Sequence, residues 1–335
     1  MQLKGKRVLV TGGLGFIGSH IIDRLVNKCE ELIIFDNYSS GNEQNIATAL
    51  KTNKAKMIRG DILNYPKLKE AMNDVDLVVH NAAELEVFTG IQNMGRDLQI
   101  NALGTVNVIE ACLNTNVKKL IYASSGTVYG QTNVLPKETF SQEPHWPYGV
   151  SKLAGEKYCS MAWNLYKFPT VSLRYSIVYG PREWYGRVLT LFIKRALEGK
   201  SPVVFGDGAQ TRDFVYVDDV ADANISVIEK SIADGKVFNI GSGTSTTIAE
   251  LANLVCELIN PTIKPIFDNP PEGKESVHQP GRKRLIGELK KLEVDIDYAK
   301  EILDFNPKTN LKTGIEKEIK WLQENSLRWN TKPRV

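Results

Sequence analysis

Short apolar runs alternate with helical patterns through the first half of the chain. Residues 7–10 form a β-branched run that ends in glycines, and a helical pattern follows over 16–27. Further runs stand at Glu31–Asp36, 56–59, Leu77–His80, 119–123 and 170–174. The runs are continuous rather than alternating, and helices separate them. That pattern predicts strands buried on both faces of a parallel sheet. The expected class is α/β, with a doubly wound parallel sheet.

Past Tyr175 the texture changes. Glycine and proline cluster at 180–181, 199–202 and 206–208, and 260–287 reads as a loop carrying Pro261, Pro265, Pro270, Pro271 and Pro280. Residues 213–220 and Val237–Ile240 are expected to return to the main sheet. A helical pattern resumes from Ile296. The predicted division is 1–175 plus 211–245 for the first domain, and 176–210 plus 246–329 for a smaller, interleaved C-terminal α/β substrate lobe. Residues 330–335 are polar and read as a frayed tail.

Composition narrows the partners. The 335 residues suit two lobes around a large core. Lys and Arg number 42 against 39 Asp and Glu, and a net charge of +3 gives no case for a nucleic-acid partner. No apolar stretch approaches the ~20 residues that cross a bilayer, and no signal segment precedes the first strand. Cys29, Cys112, Cys159 and Cys256 lack paired spacing and read as free thiols of a cytoplasmic protein. His20, His80, His145 and His278 lack ligand spacing, so no metal is expected.

The segment Thr11-Gly-Gly-Leu-Gly-Phe-Ile-Gly18 closes the first strand and opens the first helix. Glycines permit the tight turn and let the backbone approach a pyrophosphate. The helix N-terminus then offers free N–H groups and a positive dipole end. A bare glycine turn is weak evidence, but Asp36 ends the next strand, where a Rossmann fold places its ribose acid. Its charge would repel a 2′-phosphate, and Asn37 follows where a base would serve NADP. The cofactor predicted is NAD.

Tyr148 and Lys152 lie four residues apart, just after Pro147, and so share one face of a starting helix. A tyrosine with pKa ~10 is a poor base at neutral pH. A nearby ammonium is expected to favour the phenolate, making the pair a general base for a sugar hydroxyl. Such a pair also occurs on ordinary solvated helix faces. Ser125 ends the strand before it, where small hydroxyl residues point into the ligand crevice.

With these motifs in view, the chain resembles the extended short-chain dehydrogenase/reductases, within the NAD-dependent nucleotide-sugar epimerase/dehydratase group and nearest its UDP-sugar 4-epimerases. The shared pattern runs from Thr11 to about Trp321. Beyond the segments above it includes Gly60-Asp-Ile62, His80-Asn-Ala-Ala83, Asn101, Arg174-Tyr175, Val178-Tyr-Gly-Pro-Arg182 and residues 206–219. The resemblance implies that Gly12, Gly15, Phe16, Ile17, Gly18, Asp36, Asn37, Ser40, Gly41, Asp61, Ile62, Ala82, Ala83, Asn101, Tyr148, Lys152 and Tyr175 bind NAD. It implies Ser125, Tyr148 and Lys152 as catalytic. Ser125, Tyr148, Arg187, Phe205, Arg212 and Arg284 would contact substrate, Arg212 and Arg284 at its diphosphate. Arg282 lies close enough to compete for the second of those places.

Absences discriminate among the group's reactions. Its 4,6-dehydratases carry an Asp-Glu pair where Gly126 and Thr127 stand. The glutamate of its decarboxylases and the cysteine of its 3,5-epimerases are missing too. The remaining Ser125–Tyr148–Lys152 set suffices for redox at one carbon, which implies C4 epimerisation of a nucleotide sugar through a 4-keto intermediate. A UDP-glucose, N-acetyl or uronate substrate is favoured. A nucleotide-sugar 4-reductase and a non-catalytic NAD-binding regulator stay open. Ile177, where the epimerases usually carry asparagine, departs from the pattern. So do Leu85-Glu86 in place of a lysine, His145-Trp146 and Trp184-Tyr185. Apolar residues on several faces of the 97–113 helix (Ile100, Leu103, Val106, Ile109, Ala111), and the same resemblance, imply a homodimer.

Overall fold

The computed structural model describes residues 1–85, 87–183 and 186–326. Glu86, Trp184-Tyr185 and the 330–335 tail lie outside the described residues.

Seven parallel strands make the main sheet: β1 (Arg7–Thr11), β2 (Glu31–Asp36), β3 (Ala55–Arg59), β4 (Leu77–His80), β5 (Lys119–Ser125), β6 (Thr170–Tyr175) and β7 (Val237–Ile240). Their order is β7-β6-β5-β4-β1-β2-β3. β1 is the pivot. Thr11 is in register with Phe35 on one side and His80 on the other. The chain winds outward to β3, then crosses back to β4, so a crevice opens at the C-terminal ends of β1 and β4.

Both faces of this sheet are apolar because successive side chains alternate. Val8, Val10, Leu32, Ile34, Leu77 and Val79 feed one core. Leu9, Ile33, Phe35, Val78, Leu120 and Tyr122 feed the other. Each such fully buried aliphatic side chain contributes about 1.5–3 kcal/mol. The uninterrupted runs of the sequence are the signature of this double burial.

Helices cover both faces. α1 (Phe16–Leu25) packs on α6 (Val217–Glu229), and α2 (Tyr65–Ala71) on α3 (Gly104–Leu113). α4 (Pro147–Tyr166) lies along β5 and β6. Pro147 starts it at N1, and Lys167 ends it in the left-handed conformation (φ 55°). The helix expected over 97–113 is interrupted: Leu98–Leu103 is wound as a π-helix between Met94–Asp97 and α3.

The return to the main sheet is half as expected. Val237–Ile240 does pair with β6. Residues 213–220 do not: Phe214–Tyr216 pairs with Ile177–Tyr179 in a separate ladder, and α6 begins at Val217. The C-terminal elements include α5 (Val188–Leu197), α7 (Ile248–Ile259), a short helix over Asp297–Leu303, α8 (Leu311–Glu324) and short ladders. Val203–Phe205 pairs with Ile266–Asp268, inside the stretch read as loop. Thr211–Arg212 pairs with both Thr246–Thr247 and Lys291–Leu292. α7 opens with a reciprocal capping box between Thr247 and Glu250. Among the described residues no helix is long and apolar enough to cross a membrane.

Candidate active site

A cleft of about 250 Å³ opens over the carboxyl ends of β1 and β4. One end is lined by Gly12, Gly15, Phe16, Ile17, Gly18, Asp36, Asn37, Ser40, Asp61 and Ile62. The other is lined by Ala82, Ala83, Ser124, Tyr148, Lys152, Tyr175 and Arg187.

The cradle needs a glycine at position 12. Its φ is +66°, and a Cβ there would lie 2.7 Å from the Ala82 amide nitrogen. The helix that follows has Gly15 as its N-cap, so no side chain caps it. The first-turn amides of Phe16 and Ile17 are left for an anion. Asp36 accepts the Leu14 amide on one oxygen (3.0 Å) and the Tyr38 amide on the other (2.8 Å). Burial pushes its carboxyl upward. Each oxygen keeps a lone pair for a ribose hydroxyl. The Asn37 amide donates to Asp61 (3.0 Å). Asn81 lines the cleft too, and its Nδ2 is a buried donor with no hydrogen-bond partner. Cradle, acid and orphaned donor together fit a dinucleotide.

Two residues predicted to touch the cofactor stand behind the wall. Gly41 packs on Leu14 and Asp36. Asn101, in the π-helical segment, accepts the Glu84 amide (2.8 Å) and donates to the Glu84 carbonyl (3.0 Å) and to Asp97 (3.1 Å). It braces the 82–85 loop.

His80 does similar work. The Thr105 hydroxyl donates to the Asn101 carbonyl (2.6 Å), so it accepts from His80 Nε2 (3.1 Å). His80 Nδ1 then accepts from the Thr11 hydroxyl (2.7 Å), which accepts the Ala82 amide (3.2 Å). The imidazole stays neutral, with burial and Lys152 lowering it to about 3.

At the reacting end, Ser125 Oγ accepts from the Thr127 amide (3.2 Å) and hydroxyl (2.9 Å). Its own hydrogen is free for the Tyr148 oxygen, and that bond favours the phenolate. α4 reaches this loop because Gly149 has no Cβ, which would lie 2.8 Å from the Thr127 carbonyl oxygen. Lys152 is buried with its Nζ 4.3 Å from the Tyr122 ring centroid. Burial lowers it to about 7, opposed by Cys159, Asp97 and Glu156.

The electrostatics at Tyr148 differ from what its spacing to Lys152 predicts. Burial pushes Tyr148 up to about 12, and the nearby charge that opposes this is Arg187 rather than Lys152. An ammonium itself held near neutrality by a dry site is a weak lever on its neighbour.

Phe205, Arg212 and Arg284 form a second group. Arg212 Nη2 lies 3.9 Å from one Glu288 oxygen, and Arg284 Nε lies 3.7 Å from the other. Gln210 joins the Phe205 carbonyl (3.1 Å) to Glu288 (3.3 Å). Arg282 is held differently. It donates to the Val203 carbonyl (2.9 Å) and stacks 4.4 Å over the Phe205 ring. Arg284 is thus the arginine that shares a counter-ion with Arg212.

The unusual Trp146 explains how the two groups are joined. Its indole donates to the Ile286 carbonyl (3.0 Å), and its ring packs with Leu289, Leu292 and Ile177. The start of α4 is therefore anchored to the segment carrying Arg284 and Glu288. Nothing local in the sequence marks Glu288, whereas Asn81 lies inside the His80-Asn-Ala-Ala83 segment of the resemblance, which gives it no role.

A doubly wound sheet, a glycine cradle with its ribose acid, and a Tyr–Lys pair beside a strand-end serine define an extended short-chain dehydrogenase/reductase. The model of the NAD dependent epimerase/dehydratase family matches residues 8–241, and the chain belongs to that family. A putative UDP-glucose 4-epimerase of Methanocaldococcus jannaschii is 38% identical, over 95% of this chain and 99% of the relative. The UDP-N-acetylglucosamine 4-epimerase of Methanobrevibacter ruminantium M1, solved with UDP-N-acetylmuramic acid, superposes with a TM-score of 0.86 at 32% identity, covering 96% of this chain and 99% of that one. The Bacillus cereus UDP-glucuronic acid 4-epimerase, solved with UDP-glucuronic acid and NAD, gives 0.86 at 30% identity, over 95% and 99%.

Proposed function

We propose that this chain is an NAD-dependent nucleotide-sugar 4-epimerase that inverts C4 of a UDP-sugar through a 4-keto intermediate. One observation carries the reading. Ser125, Tyr148 and Lys152 converge beside the dinucleotide cleft, and the loop where a dehydratase would carry acids holds Gly126 and Thr127. The Thr127 hydroxyl is already committed to Ser125.

Bound NAD supplies the acceptor and then the donor of the C4 hydride. Asp36 would hold the adenosine ribose, the Phe16 and Ile17 amides the pyrophosphate, and Lys152 the nicotinamide ribose. Tyr148 would take the proton of the C4 hydroxyl and return it to that same oxygen once the ring has turned its other face. Ser125 donates to the phenolate and holds it in line. Arg187 opposes the burial that keeps the phenol protonated. Arg212 and Arg284 would grip the diphosphate in place of Glu288, by charge-assisted hydrogen bonds, while the 4-keto sugar turns over. Phe205 would flank the nucleotide.

The working form we infer is a cytoplasmic homodimer. Met94, Leu98 and Leu103 are exposed on one helical segment, and Val150, Tyr158 and Leu165 recur along one face of α4. Of the residues expected to mark this surface, Ile109 and Ala111 are buried instead and only Leu103 is exposed. The first domain would comprise 1–175 with 211–245, the substrate lobe 176–210 with 246–329. The test is incubation, without added cofactor, with UDP-glucose, UDP-galactose, their N-acetyl forms and UDP-glucuronate, the products resolved by NMR. Interconversion of a C4 pair supports the proposal. Net consumption of added NAD(P)H without interconversion overturns it in favour of a reductase.

A further inference from the structure

Behind the reacting end lies a buried ion pair that the mechanism above does not use. Glu156 and Arg174 are both 2% exposed. The guanidinium grips the carboxylate as a fork, Nη2 to Oε1 at 2.6 Å and Nε to Oε2 at 2.9 Å. Such paired geometry is specific as well as strong. Glu156 also accepts the Ser124 hydroxyl (2.8 Å). Arg174 donates further to the Tyr129 hydroxyl (2.5 Å) and the Glu138 carbonyl (3.1 Å).

The fork sits where the three catalytic elements meet. Glu156 follows Tyr148 and Lys152 on α4 at successive four-residue steps, so the three share a face. Ser124 stands beside Ser125 at the end of β5. Arg174 stands beside Tyr175, which lines the cleft, at the end of β6. One contact set therefore fixes α4 against both strand ends.

We propose that Glu156 is a positioning residue for Tyr148 and Lys152, and that its carboxylate, held by Arg174, keeps the Lys152 ammonium charged inside the dry cleft. The proposal rests on the reading of Tyr148 and Lys152 as the catalytic pair. Other groups face Lys152 as well. Cys159 lies on α4 itself, Asp97 approaches from the neighbouring helix, His80 is on β4 and Tyr122 on β5. Among them only Asp97 is a second carboxylate, and it is shared with Asn101.

Removing only the Glu156 charge leaves a bare buried guanidinium, which destabilises the fold. The first variant is therefore E156Q/R174Q, measured beside E156Q, E156D and Y148F. The readouts are the pH profile of kcat and NAD retention after gel filtration. Deprotonation of Lys152 is expected to set the basic limb. In E156Q/R174Q that limb moves to lower pH by on the order of one unit, and NAD retention above neutral pH falls with it. E156Q moves it further, because Arg174 is then unopposed. E156D keeps the charge and stays near wild type in the limb while kcat falls. Whichever charge-removing variant folds gives the reading. A purely structural role lowers kcat equally at every pH; a basic limb unmoved in the folded variant overturns the proposal. Activity surviving in Y148F instead overturns the catalytic reading beneath it.

Discussion

Gly12→Ala should weaken both the fold and its grip on NAD. The residue has φ +66°, where a left-handed L-residue costs about 1–2 kcal/mol. The added methyl would also lie 2.7 Å from the Ala82 nitrogen and 2.8 Å from its Cα. Both atoms are backbone, so no side chain can swing away, and overpacking of this kind costs about 1–3 kcal/mol. The sum is roughly 2–5 kcal/mol. At about 2 °C per kcal/mol for a chain this large, the melting midpoint should fall by roughly 4–10 °C. Gly12 and Ala82 both line the cleft, so the displacement falls on the cofactor's own wall. If about half the cost is relieved only when NAD is absent, affinity falls roughly 5- to 60-fold at 1.4 kcal/mol per decade. Scanning calorimetry on NAD-stripped protein and calorimetric NAD titration measure the two effects. A variant with unchanged melting point and affinity would refute the account of the cradle.

Other expectations follow from the same geometry. Burial lowers Lys152 to about 7, whereas the unfolded chain holds that proton to about pH 10.4. Between those values the unfolded state binds more protons, so this group's contribution to stability rises with pH, and its full cost is present below 7. Lys152→Met should therefore raise the melting point of NAD-stripped protein most near pH 6 and hardly at all above pH 10, while epimerisation falls about 100-fold or more; a pH-independent gain would contradict this. Arg212→Met removes a charged diphosphate contact of about 1.5–3 kcal/mol, so KM for the nucleotide sugar should rise on the order of 10- to 150-fold with NAD retention intact. An unchanged KM in steady-state assays would remove Arg212 from the site. Leu165→Glu with Tyr158→Glu places charges on the apolar face of α4 and should give a monomer by light scattering; an unshifted mass would place any interface elsewhere.

Much of this was visible in the sequence because it is local or periodic. The doubly buried strands of the main sheet read as continuous apolar runs, and Glu31–Asp36, Leu77–His80 and Val237–Ile240 begin and end where the pattern says. The glycine turn, Asp36 and the four-residue spacing of Tyr148 and Lys152 are equally local, and all of them line the cleft. What was missed depends on distant partners. Phe214–Tyr216 reads as a main-sheet strand until its pairing with Ile177–Tyr179 is seen. Asn101 and Gly41 lie in cofactor-bearing segments, yet the Asn101 side chain bonds to Glu84 and Gly41 packs its backbone against Leu14, neither reaching into the cleft. Glu288 gains meaning only from two arginines brought to it by different elements. The Tyr148 phenol behaves differently from the expectation because spacing reports the cation four residues away but not the burial that disfavours the phenolate. Glu156 continues the same four-residue series, a signal that was available, but its partner Arg174 comes from a separate strand, β6.

The central claim is that hydride leaves C4 and returns to C4 within one active site, with Tyr148 handling the proton. The most direct test is epimerisation of a C4-deuterated UDP-sugar in ordinary water, followed by NMR, with Tyr148→Phe alongside. The account predicts full retention of deuterium at the inverted C4, no requirement for added cofactor, and a loss of about 100- to 10,000-fold in the variant. Washout of the label to solvent hydrogen, or undiminished turnover by Tyr148→Phe, would contradict it.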